Sequence, residues 1–347
     1  MTMQNRKKVL FNTFFLFLVF GLTLYGVFHG EDLGAMLAAI EGADLRWLVP
    51  GIILVLFFIW CESIIIWYMM RSFQLHLKRR ICFLFSSVGF FFSCITPSAS
   101  GGQPMQIYYM KKEKIPIPVS TVILMIVTIT YKLVLVVIGL GILIFGQGFL
   151  HRYLESILPV FYLGLALNIF CVSFMTILVF HPVFAEKILT VGRILLERLR
   201  LIRHKKERVR KLQESMEVYR ETAAYLGTHK HVIVHVVLVT FVQRIALFAV
   251  TGCVYAAFYL SGTSVWDVVL LQAVISISVD MLPLPGGMGI SEKLFLTIFP
   301  PVFGHLILSA MVLSRGLGYY SQLLISAVFT AVMQIRCTMK EKKQEEI

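Results

Sequence analysis

The sequence predicts an all-α polytopic membrane protein with about six full transmembrane helices and two inverted re-entrant hairpins. Of its 347 residues, 58% are hydrophobic and 15% are charged, whereas soluble domains carry about 25% charged residues. The mean hydropathy is +0.82, and several apolar runs reach the roughly 20 residues that a helix needs to cross the hydrocarbon core. Two further apolar runs are interrupted by Gly and Pro. These features exclude a water-soluble globular protein.

Six apolar runs are long enough to span the bilayer. The first follows Arg6, Lys7 and Lys8, as in a signal peptide, but its length and the lack of a small-residue cleavage site predict a retained span. Residues 1–335 are expected to form one membrane domain, followed by a tail at 336–347. The spans are predicted near residues 9–28, 48–70, 119–146, 157–181, 231–260 and 304–335.

Two shorter apolar runs predict the re-entrant hairpins. The first lies near residues 81–110 and is broken by TPSASGGQP at 96–104, and the second lies near 265–299 and is broken by PLPGGMG at 283–289. Irregular backbone is tolerated at membrane depth only where protein or a wet cavity surrounds it. Each run has a short apolar arm, a proline, a Gly-Gly pair and a second short arm. Paired Gly/Pro-interrupted segments in two halves of a membrane protein indicate a binding site near the midplane.

The positions of the cations predict that both termini are cytoplasmic. Lys and Arg accumulate on cytoplasmic loops, and most of the 32 lie in the N-terminal tail, at 71–80, at 111–114, at 182–230 and in the C-terminal tail. If residues 81–110 crossed the membrane fully, two of these clusters would lie on opposite sides. The hairpin interpretation avoids that conflict. Three full spans separate the hairpins, so the first is expected to enter from the cytoplasm and the second from outside.

The basic segment at 182–230 is the one large extramembrane piece that the sequence predicts. Ile188, Val191, Leu195, Leu199 and Ile202 recur at spacings of three and four, and Arg and Lys occupy the positions between them. This pattern is typical of an amphipathic helix on an anionic leaflet. The alternative is that its charge serves only to keep the loop inside. The strong positive charge of the whole chain is therefore interpreted as a match for lipid, with no nucleic acid partner expected.

A few charged residues remain at membrane depth once the loops are set aside. Such groups are costly in a bilayer and usually face an interior cavity and a partner. One interpretation is that the three central cations form internal ion pairs with the carboxylates, and the other is that they attract an anionic head group. The central cations are Lys132, Arg244 and Arg315, and the carboxylates are Glu62, Asp280 and Glu292.

The glycine pairs are the second candidate binding feature. Glycine leaves backbone N–H groups uncovered, and a helix that starts after the turn directs its positive dipole end toward the break. The alternative is that glycine permits the close approach of another backbone. The glycines concerned are Gly101, Gly102, Gly286, Gly287 and Gly289.

The PLPGGMGISE segment at 283–292 resembles the flippase-like membrane region of the lysylphosphatidylglycerol synthase family, and the break at 96–104 resembles that family's other Gly/Pro break. The resemblance implies a polytopic protein of the bacterial cytoplasmic membrane, related to proteins that make aminoacylated phosphatidylglycerol and move it to the outer leaflet, which lowers the attraction of the surface for cationic peptides. By this resemblance, Gly286, Gly287, Gly289 and Glu292 match the family motif.

The function expected from residues and resemblance together is translocation or binding of an anionic phospholipid or a polyprenyl-linked lipid. Two alternatives are a membrane partner of a separate lipid-aminoacylating synthase and a phosphatidylglycerol lysyltransferase. The full-length synthases carry a soluble domain after the membrane region, whereas this chain stops soon after Ile335, so catalysis by this chain alone is not expected. No catalytic, cofactor or metal motif is identified.

Overall fold

The computed structural model describes residues 33–198 and 206–345, and these residues form helices and short turns without a β-strand. The all-α class is confirmed, while the predicted span at 9–28 lies outside the described residues. The main helices are α1 (Leu33–Glu41), α2 (Leu45–Ser72), α3 (Arg79–Ile95), α4 (Gly102–Lys112), α5 (Ile117–Phe145), α6 (Leu158–Phe180), α7 (Pro182–Arg198), α8 (Lys206–Thr228), α9 (Lys230–Ala257), α10 (Val265–Val279), α11 (Ile290–Ile298), α12 (Ile307–Arg315) and α13 (Ser321–Glu345).

Five helical segments in the described part of the chain are long and apolar enough to cross a membrane. They are α2, α5, α9, the segment Gln147–Phe180 that ends with α6, and the segment Pro300–Lys340 that contains α12 and most of α13. Each coincides with one of the spans predicted from 48 onward. Their outward faces carry exposed apolar side chains such as Phe170, Leu238 and Leu324. Large apolar faces of this kind are covered by lipid in a membrane, so the chain is a multi-pass membrane protein.

The helices are interrupted at both places where the sequence has its Gly/Pro breaks. In the first, α3 ends at Ile95, a single turn forms at Pro97–Ala99, and α4 returns along α3. In the second, α10 ends at Val279 and a single turn at Pro285–Gly287 precedes α11. Three long apolar helices, α5, α6 and α9, lie between the two interrupted pairs. The order of elements is therefore the one that the sequence predicted.

The two breaks contact each other in the folded chain. The hydroxyl of Ser98 donates to the carbonyl of Leu282 at 3.3 Å, which joins residues far apart in sequence. The phenol of Tyr319, in the π-helical turn Gly316–Tyr320 between α12 and α13, donates to the carbonyl of Cys94 at 2.9 Å. These bonds bring the end of α3, the second break and the last helical segment to one place.

Close helix packing fixes this arrangement. At Gly164 in α6, a Cβ atom would lie 2.4 Å from the carbonyl oxygen of Ile277 in α10, so only glycine permits the crossing. Helix α9 packs along α2, where the amide of Gln243 donates to the carbonyl of Phe58 at 3.0 Å. The core side chains Phe58, Phe161 and Phe248 are fully buried.

The basic segment 182–230 contains two helices, and one of them packs on the bundle. Met216, Tyr219 and Leu226 of α8 are buried in a core shared with α5, and the Tyr219 hydroxyl donates to the Leu178 carbonyl at 3.0 Å. Helix α8 of the predicted extramembrane segment therefore adds its apolar face to the protein core, and its position relative to the membrane stays a prediction. Helix α7 leaves Val191 exposed, and residues 199–205 of the predicted amphipathic pattern lie outside the described residues.

A cluster of one carboxylate and two cations joins the end of α4 to the end of α13, and it predicts that the stability of the protein depends on pH. The Glu113 carboxylate lies 3.2 Å from Nε of Arg336 and 2.6 Å from Nζ of Lys340. Burial raises the pKa of Glu113, but the hydrogen bonds from Lys340 and Arg336 outweigh burial and hold the pKa below its ordinary value. A lowered folded-state pKa adds stability above the unfolded pKa of about 4.3, and this stability is lost as the pH falls.

We expect Glu113→Gln to lower the free energy of unfolding at pH 7, because the substitution removes both ion pairs. The loss should be only about 1 kcal/mol, because both cations are partly exposed and solvent screens the pairs. Wild type should lose more stability than Glu113→Gln between pH 7 and pH 4 in thermal unfolding of the detergent-solubilised protein. Glu155→Gln, at an exposed carboxylate, is the control. Equal pH profiles for wild type and Glu113→Gln would contradict the assignment.

Candidate functional site

Two adjoining cavities lie where the breaks meet the long helices. Cavity A has a volume of about 240 Å³ and is bordered by the second break, including Gly286 and Gly287. Cavity B has a volume of about 410 Å³ and is bordered by Glu62, Gln103 and Lys132. Their shared lining residues are Ser93, Ser98, Ala99, Tyr131, Arg244, Leu247, Asp280 and Gln322. Two cavities with a common wall therefore lie inside the helix bundle.

Arg244 is the cation in that common wall, and its charge is not matched by an ion pair. Its guanidinium lies 3.6 Å from the ring centroid of Tyr131 and 5.0 Å from that of Phe58. In residues 33–198 and 206–345 no carboxylate lies within ion-pair distance, and the buried Nε atom has no hydrogen-bond partner. Stacking on aromatic faces partly offsets the cost of desolvation. Arg244 therefore keeps hydrogen-bond donors for a further group.

Lys132 is paired, as the ion-pair interpretation expected. Its ammonium contacts the carboxylate of Asp280, which also accepts a hydrogen bond from the phenol of Tyr131. The side chains of Lys132 and Asp280 are only 9% and 13% exposed. This pair joins the middle of α5 to the residue just after α10, so it fixes the second break against a full-length helix.

Arg315 is also paired, and it organises the second break. Its Nε atom lies 2.7 Å from Oε1 of Glu292, although the N–H is not aligned for a hydrogen bond. One of its terminal nitrogens donates to the Gly286 carbonyl at 3.2 Å. The other oxygen of Glu292 accepts from the N–H of Gly289 at 2.7 Å and from the Ser291 hydroxyl at 3.0 Å. The contacts of Glu292 and Arg315 therefore stabilise the turn of the second break.

Glu62 is the remaining deep carboxylate, and it lies in the wall of cavity B. Its Oε1 accepts from the Gln106 amide at 3.2 Å, and the same amide reaches the carbonyl of Phe85 at 3.2 Å. Arg244 is close enough to interact electrostatically with Glu62 but does not form an ion pair with it. Glu62 and Arg244 are therefore opposite charges that both border cavity B and interact without direct contact.

The glycines of the second break are required by the backbone. Gly286, Gly287 and Gly289 have φ angles of +56°, +66° and +84°, a region that side chains disfavour. A Cβ atom on Gly286 would lie 2.2 Å from the ring of Tyr319. The N–H groups of Gly287 and Gly289 are donated to Leu284 and Glu292. The expected open N–H groups are therefore used inside the turn at these two positions.

The glycines of the first break serve close packing. A Cβ atom on Gly101 would lie 2.6 Å from the side chain of Thr96, and one on Gly102 would lie 2.7 Å from the carbonyl oxygen of Gly89. Positive φ angles in this break occur at Ser98 and Ala99 instead. Close approach of another backbone, the second interpretation of the glycine pairs, therefore applies at Gly102, whereas Gly101 makes room for a side chain. Neither Gly101 nor Gly102 is among the residues lining cavity A or cavity B.

Several polar residues of the site were missed by the sequence interpretation. Tyr131 lies in both cavities and contacts both Arg244 and Asp280. Thr251 and Ser314 exchange a hydrogen bond at 2.7 Å in cavity A. Their side chains carry no formal charge, so a search for charges at membrane depth passes over them. The position of Tyr131 beside Lys132 was the one signal in the sequence that marked this residue.

The arrangement can bind an anion through Arg244. Arg244 offers a planar donor group that matches phosphate, and the described residues hold no group of three metal ligands.

A known protein family matches most of the chain. The family model described as the lysylphosphatidylglycerol synthase TM region matches residues 9–326. No curated protein matches the chain.

Proposed function

The chain belongs to the family of lysylphosphatidylglycerol synthase transmembrane regions, and from this premise we propose that it translocates an anionic phospholipid across the bacterial cytoplasmic membrane. The observation that carries the proposal is Arg244, a guanidinium without a direct ion pair in the wall shared by the two cavities. A buried charge without a partner is costly unless something compensates it. A phosphate diester that passes between the cavities would supply that compensation.

The head group would move from one cavity to the other past Arg244. In the resting state the guanidinium is held by the rings of Tyr131 and Phe58. These rings offer no hydrogen-bond acceptor for most of its N–H groups, so a phosphate with two oxygens is the better partner. The Lys132–Asp280 and Arg315–Glu292 pairs keep the walls in register during passage. The acyl chains would remain in the surrounding lipid.

We further propose that α3–α4 and α10–α11 are re-entrant hairpins of opposite orientation. Their arms are short, both turns contain Gly and Pro, and the turns meet through Ser98 and Leu282. With three long helices between them, an entry of the first from the cytoplasm requires an entry of the second from outside. The basic residues at both ends of the first hairpin support this orientation by the positive-inside rule. Both chain termini would then be cytoplasmic.

Reconstitution in liposomes tests the proposed activity. A fluorescent phosphatidylglycerol is placed in both leaflets, and a membrane-impermeant reductant destroys the fluorescence of the outer leaflet. Protein that translocates the lipid lets the reductant consume the inner pool at a protein-dependent rate. A zwitterionic analogue should move at least tenfold more slowly. Movement no faster than in protein-free liposomes, with the protein folded, would leave a non-transporting partner of a synthase as the better hypothesis.

A further inference from the structure

A third pocket lies on the lateral face of the bundle, between α2 and α3. It has a volume of about 210 Å³ and is bordered by Trp60, Ser63 and Trp67 of α2 and by Arg79, Arg80 and Phe83 of α3. None of these residues lines cavity A or cavity B. The pocket is therefore separate from the proposed translocation path and needs its own explanation.

Arg79 and Arg80 border the pocket without an acidic partner, and Arg71 lies beside its residue Trp67. The guanidinium of Arg79 lies 4.4 Å from the ring centroid of Trp67, and that of Arg71 lies 5.4 Å from the same ring. Throughout the described chain, no carboxylate forms an ion pair with Arg71, Arg79 or Arg80. Stacking on Trp67 fixes the guanidinium planes, which lowers the entropy lost when a ligand binds. The cluster is a preorganised concentration of positive charge.

A buried hydroxyl adds a neutral donor inside the pocket. Ser63 is 3% exposed, and it borders the pocket. Helix α3 also starts at this place, and its N-cap residue Lys78 makes no side-chain cap. The positive end of the helix dipole therefore adds to the field of the arginines.

The pocket changes from polar to apolar along α2. Trp60 and Trp67 are seven residues apart, which is roughly 10 Å along a helix. Arg79 and Arg80 lie at the first turn of α3, while Phe83 lies one turn further along it. Tryptophan side chains are typical of the membrane interface. A ligand with a phosphate at one end and an apolar body at the other matches this order.

We propose that this pocket binds the phosphate diester of an anionic glycerophospholipid in the cytoplasmic leaflet. No acidic residue lines the pocket, so the ammonium group of a zwitterionic lipid would find no partner there. Basic pockets between helices at the cytoplasmic side are suited to anionic head groups. The inference does not depend on translocation, because the site lies outside both cavities, but its placement in the cytoplasmic leaflet rests on the proposed orientation of the first hairpin.

Native mass spectrometry of the full chain in detergent tests the site. With phosphatidylglycerol supplied, wild type should retain one bound lipid. The fraction of protein with this bound lipid should be at least fivefold lower in Arg79→Gln/Arg80→Gln. In Ser63→Ala, which keeps every charge, the fraction of protein with bound lipid should fall about twofold to threefold. The matched control is Lys111→Gln/Lys114→Gln, which removes two charges from the end of the first hairpin and should retain the lipid. Thermal unfolding verifies that each variant is folded.

Four results would contradict the proposal. The first is retention of phosphatidylglycerol by the double arginine variant at the wild-type level. The second is an equal loss in the lysine control, which would show that only overall charge matters. The third is displacement of the lipid by millimolar inorganic phosphate, which would assign the pocket to the free anion instead of a lipid. Equal retention of phosphatidylcholine would also contradict the choice of an anionic head group.

Discussion

Arg244→Met is expected to reduce translocation of phosphatidylglycerol at least tenfold while leaving the protein as stable as wild type, or more stable. A hydrogen bond to a charged group contributes about 1.5–3 kcal/mol, and each 1.4 kcal/mol is about a tenfold change. Methionine fills a similar volume between Tyr131 and Phe58. Replacing a partly buried charge by an apolar side chain removes a desolvation penalty, and Glu62, which interacts with Arg244 only at a distance, keeps its hydrogen bond from Gln106. Activity and stability should therefore change in opposite directions, or activity alone should change.

Two further substitutions sharpen this test. Arg244→Lys keeps the charge but lacks the planar donor group, so an intermediate rate is expected. Arg152→Met removes another arginine that stacks on an aromatic ring, at an exposed position outside both cavities, and should leave the rate unchanged. The measurements are the liposome reductant assay and thermal unfolding. A marked loss of stability in Arg244→Met would show a structural role for this arginine, and an unchanged rate would remove it from the mechanism.

Gly318→Phe is expected to block cavity A and to bring translocation close to the rate of protein-free liposomes. Gly318 lines cavity A, and no atom lies within 4 Å of the position that its Cβ would occupy. A side chain placed there extends into open space. With a volume of about 240 Å³, the cavity does not accommodate both an aromatic ring and a phospholipid head group.

Gly316→Phe is the matched control for this substitution. Gly316 belongs to the same π-helical turn and also has open space at its Cβ position, but it does not line cavity A or cavity B. Both variants should unfold within a few degrees of wild type, because replacing glycine in a helical segment reduces the entropy of the unfolded chain. Equal translocation by Gly318→Phe and Gly316→Phe would show that cavity A is not part of the path.

The positions of the helices and breaks could be predicted because they depend on local sequence. The length of an apolar run can be read from the sequence alone, and it decides whether the run can span a membrane. Pro285, Gly286 and Gly287 likewise disfavour a continuous helix through their own backbone properties. The family motif at residues 283–292 has the same local character. Hydropathy and cation counts therefore gave the order of elements and the location of the second break.

The pairing of the deep charges could not be predicted, since it depends on how distant helices pack. Three cations and three carboxylates allowed complete pairing, but the fold joins Lys132 to Asp280 and Arg315 to Glu292 and leaves Arg244 stacked on aromatic rings. Gln106 takes the place beside Glu62 that a cation was expected to fill. The burial of α8 through Met216 and Tyr219 was likewise hidden by the many basic residues around it.

Photo-crosslinking tests the path of the head group most directly. A phosphatidylglycerol with a photoactivatable group on its head group is reconstituted with the protein, illuminated, and its adducts are mapped by peptide mass spectrometry. The proposed path predicts adducts in both cavities, for example at Gln272 and Ser276 in cavity A and at Gln103 and Met175 in cavity B. Adducts confined to lipid-facing residues such as Leu238 and Leu324, with none in either cavity, would contradict it.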